Sequence, residues 1–542
     1  MKSSFTQRRK VGKGAKAVIY LLCVFASVCA PLRESSVFAQ TPLTPQESRG
    51  KEIYLLGTSK SGKDILAYIG DSSLEVPGSS MACANCHGMA GQGKPEGGID
   101  PSNITWEALT KPYGVTHSSG RKHPAYTARG LELAITRGVD PAGNKLLNAM
   151  PRYQMSKEDL ADLVIYLKRL GTDLDPGIRE NQISIGTTLP ASGPLADMGQ
   201  AVKDVVNAYF AEVNLQGGIY NRRLELKVSE TGNTAAATRA NIEQLINDER
   251  VFAMTSAFLA GSERELVPVF AELEVPLVGP MTLNPQLGTP LNRQIFYLLS
   301  GNAGQAQALI SFLKKRGDFK DRGLAVMYYR GELYASIVEG IRKQSERESL
   351  KTTVYEYTAG NLDAADYIKQ MRRDEPAAVF FMGSLQETLA FMTEAAKVNW
   401  FPEILLQSGA VSGVIFDAPA GFQGKIFFTA PTSPEDQTAD GLNEFRALAE
   451  KYKLPEKHLA AQITAYSSAK VLVEALKRVG KDLSREKLVQ TLEGFYEFAT
   501  GLTPPLTYGP NRRVGAMGAY VVGVDLKEKK FTRMSGWVGI EK

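Results

Sequence analysis

From residue 183 onward, short apolar runs alternate with amphipathic helical segments. One helical segment, ADMGQAVKDVVNAYFAEVN, places Met198, Val202, Val205, Tyr209 and Val213 on a single face. Repetition of strand, helix and strand predicts parallel sheets with helices on both faces, and the region is long enough for two α/β lobes. The predicted strands lie in the runs ISIGTTL, RLELKVSE, VFAMTS, VPLVGP, GLAVMYY, AAVFFMGS, EILLQS and KIFFTAP.

Residues 43–171 follow a different pattern, rich in glycine and turn signals with a few helical segments. The segment SKEDLADLVIYLKRLG is the stronger helix, because Ser156 is a suitable N-cap and Gly171 ends it. Its apolar positions recur at helical spacing, and ESRGKEIYLLG is a second, shorter amphipathic candidate. The stretch TDLDPGIRENQ, residues 172–182, is predicted to be a linker because proline and charge interrupt every apolar pattern.

The first 39 residues have the pattern of a secretory signal peptide. A basic start is followed by the apolar run VIYLLCVFASVCA and by the ending SVFA, which predicts cleavage after Ala39 and a periplasmic location. The run is short for a membrane span, although an uncleaved anchor is the alternative. Cleavage would leave a protein that is not integral to the membrane.

Removal of this segment changes the charge and the cysteine count. It carries seven basic residues and one acidic residue, so the formal charge of the chain falls from +5 to −1. A mature chain without a basic excess gives no indication of nucleic-acid binding. Cys23 and Cys29 leave with the segment, and only Cys83 and Cys86 remain.

The remaining cysteines form the motif CANCH, from Cys83 to His87. Its C-x-x-C-H spacing lets two thiols bond covalently to one haem while the adjacent imidazole reaches the iron. A zinc site would need about four ligands, and the chain offers no further cysteines for one. A redox dithiol needs no following histidine and normally lies in a thioredoxin-like context. The motif therefore predicts one covalent haem c.

The sixth iron ligand is predicted to be Met150 in NAMPRY. A thioether is a soft ligand that raises the reduction potential, and the proline that follows restricts the backbone presenting it. A methionine packed in the core is the alternative interpretation. The other candidate ligands are Met89, Met155, His117 and His123.

Together, CANCHGMAGQG and NAMPRYQMSKEDLADLVIYLKRL resemble a class I cytochrome c over residues 43–171. The resemblance implies a small all-α domain around one covalent haem with histidine and methionine ligands, which carries single electrons. If both axial positions are filled, the iron has no open site for substrate chemistry.

The region after residue 183 resembles the branched-chain amino-acid type of periplasmic solute-binding protein that serves ABC transporters. The resemblance is carried by LPASGPLADMGQ, NLQGGIYNRRLEL, VPLVGPMTLNP, AYSSAKVLVEAL and YGPNRRVGAMGAYVV. It implies two Rossmann-like lobes joined by three crossovers, with the ligand in the cleft between them. We assign residues 183–300 and 430–500 to lobe one, and residues 301–429 and 501–542 to lobe two.

The family's ligand-binding residues are only partly matched. Tyr334 matches the cleft tyrosine, although Ala335 replaces the usual glycine after it. The family's ligand-binding serine falls near Ala260, and the acid that pairs with the ligand's amine falls near Ala410. A buried ammonium without a carboxylate is strongly disfavoured, so an ordinary α-amino acid is not the expected ligand.

A hydroxyl-rich, uncharged cleft is expected instead, suited to a small neutral or weakly anionic solute. Each hydroxyl could equally be a helix cap or a strand-end residue. The candidate ligand-binding residues are Ser192, Ser256, Ser262, Thr282, Tyr334, Ser384 and Ser408.

Three functions are compatible with this combination, and the sequence contains no nucleophile–base pattern, phosphate-binding loop or zinc motif. The first is an exported electron carrier that exchanges electrons with a dehydrogenase or oxidase and captures a solute linked to that enzyme. The second is a receptor for an ABC permease with an accessory haem. The third is a haem-dependent redox enzyme, which would need an open axial position on the iron. The first interpretation, an electron carrier and binding protein and not an enzyme, is preferred.

Overall fold

The computed structural model describes residues 43–70, 74–88, 91–93, 100–171, 173, 175–317, 319, 322–407, 411–481 and 483–540. The predicted signal segment lies outside these residues. The chain forms two compact units that divide between Asp173 and Leu174. The smaller unit contains the C-x-x-C-H motif, and the larger unit contains the alternating strands and helices.

Four of the five helices described in the smaller unit begin at a threonine or serine that caps them, and only the C-x-x-C-H helix lacks a side-chain cap. Thr44 forms a capping box with Glu47, and Ser156 accepts a hydrogen bond from the Asp159 backbone N–H at 3.1 Å. The predicted N-cap of the last helix is therefore confirmed. The helices are α1 (Pro45–Leu56), α2 (Cys83–His87), α3 (Trp106–Leu109), α4 (Ala128–Arg137) and α5 (Lys157–Leu167).

Short antiparallel strands accompany these helices, an addition to the expected all-α domain. The central strand of the three-stranded sheet is β1, with β2 and β5 on either side, and β3 pairs with β4. Apolar side chains of α1, α4 and α5 form the core with Tyr153. The strands are β1 (Leu66–Ile69), β2 (Leu74–Pro77), β3 (Val115–Thr116), β4 (Lys122–His123) and β5 (Arg152–Gln154).

Eight described strands of the larger unit coincide with the predicted apolar runs, and six more were not predicted, among them the eight-residue β17. They are β6 (Gln182–Leu189), β7 (Arg223–Glu230), β8 (Ala253–Thr255), β9 (Leu277–Val278), β10 (Ile295–Leu299), β11 (Leu324–Tyr329), β12 (Thr352–Tyr357), β13 (Ala378–Met382), β14 (Glu403–Leu406), β15 (Ile426–Ala430), β16 (Val514–Ala516), β17 (Gly518–Asp525), β18 (Lys530–Arg533) and β19 (Val538–Gly539).

Amphipathic helices connect these strands. The longest, α14, buries Ala465, Val471 and Leu472 against the sheet of lobe one. The helices are α6 (Ala196–Leu215), α7 (Ala235–Asn247), α8 (Glu263–Glu272), α9 (Gly301–Arg316), α10 (Glu332–Arg347), α11 (Ala364–Met371), α12 (Leu385–Lys397), α13 (Ala439–Tyr452), α14 (Leu459–Val479) and α15 (Arg485–Glu493).

Two sheets define two lobes, which confirms the predicted two-lobed α/β fold. Lobe one has a six-stranded parallel sheet in the order β16-β10-β9-β8-β6-β7. Lobe two has the order β12-β11-β13-β14-β15-β17-β18, with β19 paired to β17. Its strands are parallel as far as β15 and antiparallel beyond it. The strand order reverses beside β6 and beside β11, where ligands bind in open α/β sheets.

The lobe boundary near residue 500 differs from the prediction. Residues 501–516 were assigned to lobe two, but β16 pairs in parallel with β10 of lobe one, Tyr297 opposite Val514. Leu502, Leu506 and Tyr508 are also buried in the core of lobe one. The chain therefore crosses to lobe two at Met517, between β16 and β17, and this is a correction to the predicted boundary.

The predicted linker at 172–182 is also corrected, because most of it belongs to folded structure. The Asp173 carboxylate lies 2.9 Å from the Lys51 ammonium and accepts a hydrogen bond from the Tyr166 hydroxyl, both in the smaller unit. The Asp175 carboxylate accepts the Arg485 backbone N–H at 2.6 Å, in the larger unit. The Gly177 carbonyl accepts the Ser184 N–H of β6. Residues 175–182 are thus the start of lobe one.

Candidate functional sites

Helix α2 brings the three residues of the C-x-x-C-H motif to one cavity. Cys83, Cys86 and His87 are spaced i, i+3 and i+4, which places their side chains on the same side of a helix. All three line a cavity of about 590 Å³, and Met150 lines the same cavity. Ligand pockets in proteins have volumes of roughly 300–1,000 Å³. The predicted attachment residues and the predicted axial methionine are therefore brought together.

The ring of His87 is oriented by one hydrogen bond. Its Nδ1 lies 2.9 Å from the carbonyl oxygen of Ser102, and because a carbonyl can only accept, Nδ1 is the donor. Nε2 is then the unprotonated nitrogen of the neutral ring, which is the form that binds metals. Burial lowers the pKa of His87 and favours this neutral form, although the Ser102 bond opposes the shift.

The other candidate ligands are less well placed than Met150. Met155 packs against the hydrophobic core, and neither it nor His123 is among the described residues that line the cavity. His117 lines the cavity, but its Nε2 lies 3.0 Å from Arg121 and 2.9 Å from His123. Met89 lies outside the described residues.

One wall of the cavity is polar, and the sequence-based prediction did not include it. Arg121 and Lys145 line the cavity, and Arg121 donates to the Asp140 carboxylate at 2.7 Å. Haem is an apolar ring that carries two carboxylate groups. Apolar and basic side chains both line the cavity, so the residues present fit this group. Within the described residues, no cluster of three or more histidine, cysteine and acidic side chains could hold a bare metal ion.

The Asp140 network predicts an acid-sensitive stability. Burial alone raises the pKa of the Asp140 carboxyl, but hydrogen bonds from Asn144, from Arg121 and from backbone N–H groups outweigh it and lower the pKa. A carboxyl with a depressed pKa in the folded state stabilises the fold above its unfolded pKa of about 3.9, and this stabilisation is lost as the pH falls through the folded value. We expect the unfolding free energy of the smaller unit to fall below about pH 4.

Denaturant unfolding of the full chain over a pH series, followed by a signal from the smaller unit, measures this dependence. Asp140→Asn should lower the stability at neutral pH and flatten its decline in acid. The exposed Glu107, substituted by Gln, is the matched control and should leave both unchanged. Identical acid profiles for Asp140→Asn and the unsubstituted chain would contradict the assignment.

The candidate solute-binding residues all follow the carboxyl ends of strands. Ser192 follows β6, Ser256 and Ser262 follow β8, and Thr282 follows β9. In lobe two, Tyr334 follows β11 and Ser384 follows β13. Ser408 and Ala410 lie outside the described residues. The described candidates thus occupy the edges of the sheets where ligands bind in such folds.

Three of these hydroxyls are bonded to carboxylates, which corrects the expectation of an uncharged lining. Ser192 donates to Glu230 at 2.8 Å, Thr282 to Glu263 at 2.6 Å and Ser384 to Glu387 at 2.8 Å. The Glu387 carboxylate also accepts bonds from the Gly360 backbone N–H and the Tyr357 hydroxyl. The strand-end edges of both lobes therefore carry negative charge.

The remaining candidates differ in their exposure. Ser256 is fully buried at a left-handed backbone position, φ 53°, so its hydroxyl does not face solvent. Ser262 is the N-cap of α8, but its side chain makes no capping bond. The ring of Tyr334 is buried and lies nearly perpendicular to that of Tyr329, with centroids 4.8 Å apart. Tyr329 also lies beside Tyr357, so the tyrosines at the ends of β11 and β12 form a cluster with Tyr334.

Ser384 is also a helix cap, and this role predicts a specific result. It forms a capping box with Glu387 at the start of α12. Ser384→Ala should destabilise lobe two by about 1 kcal/mol, whereas Ser384→Thr, which keeps a capping hydroxyl, should cost less. Denaturant unfolding checks the stability, and titration with the protein's co-purifying solute checks binding. If Ser384→Ala loses affinity for the solute while the unfolding free energy is unchanged, Ser384 binds the solute and is not simply a cap.

These sites and folds define two classes of protein in one chain. A C-x-x-C-H helix that faces a ligand-sized cavity with a methionine defines a c-type cytochrome, and two parallel α/β lobes joined by three crossovers define a two-lobed binding protein. The family model described as "Periplasmic binding protein" matches residues 182–530, and the family model described as "Cytochrome c" matches residues 79–171. The chain belongs to the periplasmic binding protein family and carries a cytochrome c domain at its N-terminal side.

Similar proteins match the larger unit. The chain is 21% identical over 301 residues to "Leu/Ile/Val-binding protein homolog 3" of Brucella melitensis, covering 55% of this chain and 79% of that protein. It is 21% identical to "Leu/Ile/Val-binding protein BraC3" of Rhizobium johnstonii, covering 60% and 87%. A branched-chain amino acid ABC transporter structure from Thermus thermophilus with bound valine has a TM-score of 0.52 at 17% identity, covering 67% and 98%. This structural likeness shows the fold alone.

Both families are typically exported to the periplasm. Within the described part of the chain, no helix has the length and apolar character needed to cross a membrane.

Proposed function

We propose that this protein is an exported electron carrier with one covalent haem c and a module that captures a small solute. The observation that carries the proposal is the single cavity lined by Cys83, Cys86, His87 and Met150, in the same chain as a two-lobed binding fold. The two thiols would attach the haem, and His87 and Met150 would be its axial ligands. The signal segment cleaved near Ala39 would deliver the protein to the periplasm.

Bound haem c would supply one-electron transfer at a potential raised by methionine ligation. The chain's own residues then have separable roles. The Ser102 carbonyl keeps Nε2 of His87 available, and burial keeps the imidazole neutral. With histidine and methionine both bound, the iron would have no open position for a substrate. An electron carrier is therefore favoured over a haem-dependent redox enzyme.

The solute is proposed to be small and neutral, although the carboxylates at the strand ends remove the lack of an acid as an argument against an amino acid. An anionic solute would meet Glu230, Glu263 and Glu387 at the strand ends, and like charges disfavour its binding. The weakly anionic alternative is thus disfavoured. The three carboxylates already accept hydrogen bonds from hydroxyls, and the same oxygens could accept bonds from the hydroxyl or amide groups of a neutral solute.

The proposed coupling joins solute capture to the electron flow of a periplasmic dehydrogenase. The test begins with mass spectrometry of the small molecule released when the full-length protein is denatured. The haem of solute-free protein is then reduced by a dehydrogenase-containing periplasmic extract, with and without that molecule, and followed by absorbance. We expect the solute to change the reduction rate severalfold. Equal rates with every active extract would contradict the coupling.

A transport receptor with an accessory haem is the second candidate. It is supported by relatives whose names describe Leu/Ile/Val-binding proteins. This function predicts docking to an ABC permease and solute uptake that survives removal of residues 41–171. Uptake measured with the released solute, in cells that produce the full chain or the shortened one, distinguishes it from the first proposal.

A further inference from the structure

The loop that contains Met150 is held by backbone hydrogen bonds and by the side chain of Leu146, which packs against the core. Leu146 donates its N–H to the Gly138 carbonyl at 2.8 Å, and Met150 donates its N–H to the Leu147 carbonyl at 3.1 Å. The Leu147 side chain is 65% exposed, so it contributes little packing. The position of the methionine therefore depends on what restrains the carbonyls of residues 146–150.

Arg152 contacts three of these carbonyls with one guanidinium group. Its Nη2 donates to the carbonyl of Leu146 at 3.0 Å and approaches that of Leu147 at 3.5 Å, while its Nη1 donates to that of Met150. Hydrogen bonds from a charged donor are stronger than those between neutral groups. A single side chain thus ties both ends of the loop together.

The backbone of Arg152 is itself fixed. It lies in β5, opposite Tyr68 of the central strand β1. The next residue, Tyr153, is buried in the core, and its hydroxyl donates to the Met81 carbonyl just before the C-x-x-C-H helix. The guanidinium therefore extends from a strand anchored in the sheet toward the loop.

The packing around Arg152 requires glycine at position 138. Gly138 ends α4 with a left-handed backbone, φ 64°. A Cβ atom built on it would lie 1.8 Å from Nε of Arg152 and 2.0 Å from its Cζ. Any larger residue would displace the guanidinium. The guanidinium therefore lies against the end of α4 as well as against the loop carbonyls.

We infer that Arg152 is a positioning residue for the axial methionine: it holds the 146–150 loop so that Met150 stays bound to the haem iron. The inference rests on the proposed role of Met150 as the sixth ligand. Without Arg152, the loop would lose its three carbonyl contacts with the guanidinium, and the thioether would leave the iron more readily. Lysine would not replace it fully, because an ammonium is a point charge that cannot match the planar fork of a guanidinium.

Two variants test the role of the guanidinium, one by removing it and one by displacing it. Both are measured in the haem-loaded full chain. Arg152→Met removes the donors, and Gly138→Ala leaves the charge but blocks its position. The readouts are the near-infrared band of methionine-ligated ferric haem and the affinity of the ferric protein for cyanide. Both variants should weaken the band and bind cyanide at least about tenfold more tightly. Arg152→Lys should fall between them and the unsubstituted protein.

The control is Arg129→Met, which removes an arginine whose side chain is 76% exposed and pairs with Glu132. It should change neither readout. Thermal unfolding of each variant separates loss of the fold from loss of the ligand. If Arg152→Met is less stable but keeps the band and the cyanide affinity, the inference about Arg152 is wrong, while the assignment of Met150 as a ligand stands. A missing band in the unsubstituted protein would instead remove the Met150 assignment, and this inference with it.

Discussion

Replacing Cys83 and Cys86 together with serine should abolish covalent haem in the chain. No other cysteine of the predicted mature sequence could form a thioether bond. Burial raises the pKa of the Cys83 thiol to about 12, so in the absence of haem this sulfur, which lines the cavity, is protonated at neutral pH. Haem staining after denaturing electrophoresis, with absorbance of the purified protein, measures the loss. Each single variant could retain one thioether bond and should give intermediate staining.

The larger unit provides the internal control for this experiment. It is a separate compact unit with its own cores, so the unfolding transition of its two lobes should not change in the double variant. The transition of the smaller unit should move to lower temperature, because a bound group stabilises the state that binds it. Haem that stays attached to the doubly substituted chain after denaturation would contradict the assignment of the motif.

Replacing Met150 should have the largest effect on redox behaviour. Methionine as an axial ligand raises the reduction potential of haem iron. Met150→His should lower the potential by a sizeable part of the roughly 0.8 V range that axial ligands cover. Met150→Ala should leave the iron open to external ligands. Spectroelectrochemical titration and the near-infrared methionine band of the oxidised protein measure the two effects.

Met155→Leu is the matched control for this substitution. Met155 lies five residues further along the chain and is partly buried against the core of the smaller unit. Leucine is close to methionine in volume, so the potential and the band should both be retained. The reverse pattern, with the band lost in Met155→Leu and kept in Met150→Ala, would assign the ligand to Met155.

The fold was largely predictable because it follows from strong, repeated signals. The alternation of apolar runs with amphipathic helices predicted two α/β lobes and eight of the fourteen described strands of the larger unit, and the C-x-x-C-H motif predicted a covalent haem site. The position of β16 was not predictable in the same way. A strand of three residues, Val514–Ala516, has no measurable periodicity, and its pairing with β10 depends on a contact across more than two hundred residues.

Away from the haem motif and Met150, contacts were predictable only where the partner is near in sequence. Ser384 and Glu387 form a capping box that can be recognised from the spacing in SLQE. The bonds of Ser192 to Glu230 and of Thr282 to Glu263 join residues brought together by the fold, and no local pattern indicates them. The same holds for Arg152, which bonds to backbone carbonyls of the loop. Because every residue has a backbone carbonyl, the sequence does not indicate these contacts.

The connection between the units has a consequence for the ratio in which the two modules are present. Asp173 is bonded within the cytochrome unit and Asp175 within the binding unit, so a single residue separates the two anchored positions. Proteases cut most readily in exposed loops that are not held by the fold. We therefore expect the cytochrome and the solute-binding module to stay in one polypeptide and to be present in equal numbers. Two separate proteins would reach the same ratio only if they were expressed at equal levels.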